Sequence, residues 1–271
     1  MSQLTLPEKI RVLGCACFYE CINLNKLLIP QNTEKIEKGC FSFCHNLKTI
    51  QIPSNVTKIG KECFCECCNL SSVTLSTSVT KIGKSSFYGC INLVSINIPT
   101  SVLQLEDACF YGCSKLSVID IPENVSEIGK CCFYGCSNLM LFRIPINIAQ
   151  ICDSCFSYCS KLSHIDIPNT VSQIGKCCFY GCANVSSLRI PQNVTEIGCA
   201  CFYGCVNLNN IRIPKNTIKI GDFCFGNCPK LRTIYIPKTT KYNEFCFYGV
   251  PNTTSAKIIK YDSKPRCVSV L

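Results

Sequence analysis

The sequence predicts a β-rich solenoid of about eleven stacked turns of 23 residues each. Three residue columns recur with that step: a proline that usually follows isoleucine, a phenylalanine eleven residues later, and a cysteine three residues after that. A repeat of this size cannot bury its own apolar face, so its neighbours must stack on it and share one core. The proline column contains Pro7, Pro30, Pro53, Pro99, Pro122, Pro145, Pro168, Pro191, Pro214 and Pro237, with Ser76 at the remaining position.

The end of each repeat, L-x-x-I-x-I, predicts a short strand. Apolar residues alternate there with variable ones, as on a strand with one buried face. The proline that follows ends the strand because it has no N–H to donate to a ladder. Successive strands would pair in parallel, about 4.8 Å apart, in one long parallel sheet.

The following segment, I-G-x-x-C-F-Y-G-C, predicts short turns or 3₁₀ segments on the convex side of the coil. It contains turn glycines and is too short for a long helix. The Phe, Cys, Leu and Ile columns should point inward and form one continuous core.

The repeat array is predicted to occupy residues 1–250 as a single solenoid domain. The last turn is one residue short near Phe247, and Val250 then stands where cysteine is expected. Residues 251–271 are predicted to form a C-terminal cap and a basic tail.

The combined motif L-x-x-I-x-I-P-x-N-V-x-x-I-G-x-x-C-F-Y-G-C resembles the BspA-like class of leucine-rich repeats, found in bacterial and protist proteins that are often displayed at cell surfaces. The resemblance covers about residues 4–250. It differs in one column, since the usual small residue before the phenylalanine is mostly cysteine here. The resemblance implies a horseshoe or superhelical scaffold used for adhesion or protein–protein contact, and it brings no catalytic residues.

The 28 cysteines would ordinarily indicate a secreted, disulfide-rich chain. Nineteen of them, however, fall in two core columns, where a small, soft hydrophobe packs well. Stacked cysteines would lie about 4.8 Å apart, whereas disulfide Cβ atoms lie about 3.8 Å apart. We therefore expect reduced thiols. Zinc is the alternative, at clusters such as Cys63-Phe64-Cys65-Glu66-Cys67-Cys68, but no isolated C-x-x-C pair supports it. No metal or cofactor is expected.

The outward positions of the strands predict a partner-binding surface on the concave face. Their side chains are small and neutral in the first third of the chain, and then alternate in charge beside apolar residues. Apolar anchors ringed by charges are typical of interface hot spots. The alternative is that opposite charges on adjacent strands only stabilise the sheet, by about 0.2–1 kcal/mol a pair. The candidate residues are Val118, Asp120, Met140, Leu141, Arg143, His164, Asp166, Arg189, Arg212 and Tyr235.

A tyrosine row after the phenylalanine column is a second candidate surface, with the alternative that each ring only covers the turn below it. No Ser/His/Asp, Cys/His or paired-carboxylate set stands off the repeat pattern, and His164 has no nucleophile or acid in its row. We therefore expect no enzyme activity and no small-molecule substrate.

The net charge of +10 is explained by a solvated lysine-rich face. Nucleic acid is disfavoured as a partner because no aromatic platform is interleaved with the basic residues. The basic tail carries Cys267, a candidate lipidation site, although it is fifth from the end and a prenylation box requires the fourth position. Lipidation there would give peripheral membrane contact, and the alternative is an unmodified tail.

No signal peptide or transmembrane segment is recognisable in the sequence. The expected location is the cytoplasm, and the alternative within it is the inner face of the plasma membrane. The sequence thus predicts a non-enzymatic scaffold that binds a protein of unspecified identity on its concave face. The alternative is a cell-surface adhesin that binds host or matrix proteins.

Overall fold

The structure is a computed structural model that describes residues 3–250 and 257–262. The chain coils into about eleven stacked turns, as predicted, and almost all of its regular structure is strand. Within the described residues the one helical element is the 3₁₀ helix Glu244–Phe247.

One row of parallel strands comes from the L-x-x-I-x-I segments, which confirms the predicted sheet. Each strand pairs with the equivalent strand of the next turn in the 23-residue register, so that Ile119 lies opposite Ile96. Side chains of this row alternate between exposed and buried. The strands are β1 Gln3–Thr5, β3 Lys26–Leu28, β5 Thr49–Gln51, β7 Ser72–Thr74, β9 Ser95–Asn97, β11 Val118–Asp120, β13 Leu141–Arg143, β15 His164–Asp166, β17 Ser187–Arg189, β19 Asn210–Arg212, β21 Thr233–Pro237 and β22 Lys257–Tyr261.

A second row of parallel strands lies on another face of the coil, where the sequence predicted only turns. Each contributes two residues, and Ile36 pairs with Ile59 from the next turn. Two residues are too few to show an alternating pattern, which is why the sequence does not reveal this row. The strands are β2 Val12–Leu13, β4 Lys35–Ile36, β6 Lys58–Ile59, β8 Lys81–Ile82, β10 Gln104–Leu105, β12 Glu127–Ile128, β14 Gln150–Ile151, β16 Gln173–Ile174, β18 Glu196–Ile197 and β20 Lys219–Ile220.

Two left-handed residues in each of the first ten repeats turn the chain between the rows without a helix. Ala108 and Gly112 are an example, with φ of 52° and 71°. Glycine is frequent at the second position because it has no Cβ to clash in this conformation. In one repeat the bulky Tyr158 occupies that position with φ of 59°.

The phenylalanine column forms a continuous stack through the core. Adjacent rings are nearly parallel, with centroids 5.2 Å apart at Phe18–Phe41 and 5.7 Å apart at Phe156–Phe179. Phe247 joins the stack 5.8 Å from Phe225 although the spacing there is only 22 residues. The short last turn therefore keeps its place in the core.

A second column is a ladder of cysteine thiols bonded to backbone carbonyls. The thiol of Cys136, for example, lies 3.2 Å from the carbonyl oxygen of Phe110. Burial raises the pKa of such thiols, to about 12 for Cys44 and Cys228, so they stay protonated. The ladder contains Cys44, Cys67, Cys90, Cys113, Cys136, Cys159, Cys182, Cys205 and Cys228.

The described cysteines are all free thiols. The expectation that both cysteine columns point into the core fails in the first turn, where Cys17 is exposed and Cys21 is half-buried. In the described chain these two residues have a packed turn on one side only, which leaves their other side open.

The end of the described chain continues the sheet. Strand β22 pairs in parallel with all five residues of β21, although the sequence analysis placed this segment in a cap and tail. The Tyr261 hydroxyl donates to the carbonyl of Ile213, and Lys238 pairs with Asp262 at 3.0 Å.

Candidate partner-binding face

The row of longer strands is interrupted twice, on either side of β13 and β15. Ladder hydrogen bonds join β1 through β11, then β13 to β15, and then β17 through β22. Among the described strands none joins β11 to β13 or β15 to β17, although these neighbours stay in contact. We call β13 and β15 the central pair.

The core is less covered at both interruptions. Ile121 and Ile167, which directly follow the strands before the two gaps, are only partly buried. Ile144, which directly follows β13 inside the central pair, is buried. The gaps therefore expose apolar side chains to a partner.

The strand-core position of β13 holds Phe142, whereas the equivalent positions of its neighbours hold isoleucine. The Phe142 ring packs against two members of the phenylalanine stack, 4.9 Å from Phe133 and 4.8 Å from Phe156. A larger side chain in a close-packed core displaces the backbone that carries it. We attribute the gap between β11 and β13 to this ring.

The first gap forms a groove of about 540 Å³. Its exposed apolar residues are Val118, Met140 and Leu141, which keep 59%, 50% and 63% of their surface accessible. Its polar rim contains the charged residues Asp120, Glu123, Arg143 and Asp166 together with His164.

The second gap forms a groove of about 410 Å³ on the other side of β15. His164 and Asp166 line both grooves, and Arg189 lines the second. The two grooves therefore flank one strand. Together they contain eight of the ten residues that the sequence proposed for this surface.

The alternating charges do not pair across the strands. Arg143 forms an ion pair with Glu123 at 3.1 Å, and His164 contacts Asp166 of its own strand at 3.2 Å. Asp120 and Arg189 make no ion pair within residues 3–250 and 257–262. The idea that this row only stabilises the sheet by cross-strand pairing is therefore not supported by its contacts, and charges remain available to a partner.

The other two proposed residues lie apart from the grooves. The guanidinium of Arg212 stacks over the rings of Tyr235 and Tyr261, 5.4 Å and 4.5 Å from their centroids. Both residues thus help to hold β22 against the sheet, and the structure does not bring them together with the central pair.

Glu123 lines this surface and Phe142 lies buried beneath it, and neither residue was predicted as part of the site. Glu123 follows Pro122 in a loop, where no strand alternation marks it, and its salt bridge to Arg143 appears only once the turn is folded. Phe142 could have been found from the sequence, because it is an aromatic residue in a column that is otherwise aliphatic.

The tyrosine row lies outside the core, as expected, and its rings contact each other. Tyr111 stacks between Tyr88 and Tyr134, with centroids 4.6 Å and 4.4 Å away. Partial burial, followed by the neighbouring tyrosines, raises the pKa of Tyr111 to about 12. The ring faces are occupied by neighbouring tyrosines. These contacts favour the reading in which each ring covers the adjacent turn over the reading in which the row is a binding surface.

Two further expectations concern the lipidation site in the tail and a bound zinc ion. Cys267 lies outside the described residues. Among residues 3–250 and 257–262, no three His, Cys, Asp or Glu side chains converge in a way that could hold a metal ion.

In the part of the chain that the structure describes, no helix is long and apolar enough to cross a bilayer.

Comparison with known families assigns the repeats. Residues 1–117, 57–186 and 172–263 match the family model described as a BspA type leucine rich repeat region with six copies. The chain belongs to the BspA-type leucine-rich repeat family. The expected resemblance is therefore confirmed. No curated protein matches the chain.

Solved leucine-rich repeat structures share the fold. A leucine-rich repeat protein from Bacteroides ovatus is 25% identical, with a TM-score of 0.55 over 96% of this chain and 84% of that one. A leucine rich cell surface protein from Faecalibacterium prausnitzii is 23% identical, with a TM-score of 0.58 over 98% and 80%. The pneumococcal vaccine antigen PcpA is 20% identical, with a TM-score of 0.59 over 90% and 69%. These similarities establish the solenoid fold, a scaffold generally used for protein contact.

Proposed function

We propose that this BspA-type repeat protein is a non-enzymatic scaffold that binds a partner protein across the central pair. The observation that carries the proposal is the coincidence of two grooves, two breaks in the strand ladder and one cluster of exposed apolar residues. Elsewhere in the long-strand row, the ladder is continuous and the outward side chains of β5, β7 and β9 are small and polar.

The contact would combine apolar anchors with directional charges. Leu141 and Val118 offer aliphatic surface at the first groove, where Asp120 offers an unpaired charge, and Arg189 offers another at the second groove. Anchors near the centre of a patch supply most of the binding energy, while surrounding polar groups exclude wrong partners.

The test is the double substitution Leu141→Ala and Arg143→Ala. Both side chains are exposed, so the core and the thermal unfolding temperature should be unchanged. Partner proteins captured from extracts of the source cells are quantified by mass spectrometry, and their binding to the purified variant is measured. We expect the affinity to fall at least tenfold, the loss that truncating hot-spot residues produces.

The matched control is Thr49→Ala with Gln51→Ala, at the same two positions of β5, where the ladder is intact. This variant should bind like the unmodified chain. Equal binding by the Leu141 and Arg143 variant would contradict the proposed site.

An adhesin that acts at the cell surface is the second candidate function. It is supported by the family match and by the F. prausnitzii neighbour, which is described as a cell surface protein. The cytoplasmic alternative is supported by the free thiols of the described chain.

Protease treatment of intact cells distinguishes the two locations. Digestion would favour the adhesin, and protection would favour the cytoplasmic scaffold. Fractionation of Cys267→Ser beside the unmodified protein then tests lipidation, because loss from the membrane fraction is expected only if Cys267 carries an anchor.

A further inference from the structure

A carboxylate is already bound on the face formed by the two-residue strands. Glu106 accepts a hydrogen bond from the Lys84 backbone N–H at 2.7 Å and pairs with the Lys81 ammonium at 2.7 Å. Burial acts to raise the pKa of Glu106, but the bonds from Lys81 and Lys84 outweigh it and hold the pKa below its usual value. The two donors therefore form a clamp for one carboxylate.

The 23-residue period repeats the donors of this clamp twice in the preceding turns. Lys58 and Lys61 occupy the positions of Lys81 and Lys84 one turn earlier, and Lys35 with Lys38 occupies them one turn before that. The internal carboxylate is not repeated in these two turns, because Gly83 and Gly60 stand where Glu106 would be needed. A Cβ at Gly83 would lie 2.7 Å from the Lys61 nitrogen, and one at Gly60 would lie 2.4 Å from the Glu37 carbonyl carbon, so the fold admits no acidic side chain at either position.

A groove of about 650 Å³ lies on this face. Lys35, Lys58 and Lys61 line it, and within the described residues none of the three forms an ion pair. Two acidic residues also line it: Glu34, which pairs with Arg11, and Glu37. Cations are thus in excess within the groove.

The backbone amides equivalent to that of Lys84 also bind carboxylates in two later turns. Asp107 accepts from the Lys130 N–H at 2.9 Å, and Asp153 accepts from the Lys176 N–H at 2.9 Å. The amide of Lys61 has no acceptor among the described residues. A donor that the fold repeatedly pairs with a carboxylate is therefore left without an acceptor beside two lysine side chains.

We propose that this groove binds an acidic segment of a protein partner, with two of its carboxylates taking the place that Glu106 fills in the next turn. Adjacent turns lie about 4.8 Å apart, a distance that neighbouring acidic side chains of one peptide can span. Glu37 and Glu106 occupy the same column as Gly60 and Gly83, one turn before and one turn after them. Glu37 lines the groove, and Glu106 pairs with Lys81 of the groove lining. A long polyanion such as a sulfated polysaccharide would meet those carboxylates, whereas a short acidic segment fits between them.

The site is separate from the central pair, because it lies on the other row of strands and three to five turns earlier along the sequence. Its existence does not depend on the proposed function of the grooves beside β15.

The experiment measures binding of a fluorescein-labelled oligoglutamate peptide by fluorescence anisotropy at low ionic strength, where exposed charges are weakly screened. The full chain is compared with the variant Lys58→Gln and Lys61→Gln. Loss of charge-assisted hydrogen bonds should weaken binding roughly tenfold or more. The matched control is Lys176→Gln with Lys219→Gln, which removes equal charge from the same two columns, and it should bind like the full chain.

Three results would overturn the proposal. The first is no binding of oligoglutamate to the full chain. The second is equal weakening in the control variant, which would show attraction to net charge alone. The third is binding of a heparin-derived oligosaccharide without binding of oligoglutamate, which would assign the groove to sulfated glycans. Circular dichroism of each variant verifies that the exposed substitutions leave the solenoid folded.

Discussion

The region from β1 to β11 and the central pair share one core but differ in their surfaces. In the first region six long strands form an unbroken ladder, whereas the central pair is separated from both neighbours. The phenylalanine stack and the thiol ladder run through both regions without change. The repeat therefore maintains stability through its core columns, and departures from the repeat create the surface on which we place the partner.

The largest expected effect is unfolding at alkaline pH, which tests whether the core is equally stable in the two regions. Burial raises the pKa of the core thiols, to about 12 at Cys44 and Cys228, whereas an unfolded thiol has a pKa of about 8.5. The folded state then holds more protons than the unfolded state, so stability is full below about pH 8.5 and falls as the pH rises toward the folded values. Each thiol contributes about 1.4 kcal/mol for each pH unit in that window.

Eighteen described cysteines are buried, so their combined effect exceeds the roughly 5–15 kcal/mol stability of a typical domain within about one pH unit. We expect alkaline unfolding, followed by circular dichroism under reducing conditions. Alkylation mapped by mass spectrometry should show Cys67 and Cys159 becoming reactive over the same pH interval. Earlier labelling of one of them would show that the two regions are not equally stable.

Removing one ring from the phenylalanine stack should have the next largest effect. Phe64→Ala, in the continuous region, should lower the free energy of unfolding by about 3–5 kcal/mol. Phe156→Ala should cost at least as much, because Phe156 also loses its contact with Phe142. Urea denaturation gives the comparison, with hydrogen exchange by region because repeat arrays need not unfold in one step. A much smaller loss for Phe156→Ala would mean that the core is already loose at the central pair.

The smallest expected change in stability comes from a substitution that tests the cause of the first gap. Phe142→Ile restores the residue found in the neighbouring strands and should let β13 approach β11, changing stability by less than about 1.5 kcal/mol. The amides of β13 should then exchange more slowly with solvent, as measured by hydrogen-exchange mass spectrometry.

The converse variant is Ile96→Phe in β9, within the continuous ladder. It should open a gap where none exists and speed exchange in β9. If Phe142→Ile left exchange in β13 unchanged, the ring would not be the cause of the interruption.

Much of the fold could be predicted because the core columns are strictly periodic. The inward positions of Phe133, Cys136 and Leu139 follow from spacing alone, and so does the exposure of Val118 and Leu141. The two-residue strands could not be predicted, since a segment such as Lys58–Ile59 is too short to carry a pattern. Strand β22 lay outside the repeat and was assigned to the cap and tail, although its apolar pair Ile258 and Ile259 was a possible strand signal.

The candidate site was predictable in composition but not in shape. Sequence alternation identified Leu141, Arg143 and Asp166 as outward residues of adjacent strands. The first groove depends on how far β13 is displaced from β11, which we attribute to packing around Phe142. The same alternation also grouped Arg212 with these residues, although its guanidinium contacts Tyr261 of β22 instead. Alternation along one strand carries no information on such a contact.

The two rows of strands also determine how the molecule would respond to mechanical load. Hydrogen bonds between parallel strands point from turn to turn, so tension applied between the ends pulls along these bonds and separates turns rather than shearing them. Each released turn adds 23 residues, or roughly 80 Å of extended chain. Among the described strands, the first gap lacks pairing in both rows, because β12 does not pair with β14 either, whereas β16 still pairs with β18 at the second gap. The solenoid is therefore an extensible tether whose weakest joint lies at the first groove, on the surface proposed to hold the partner.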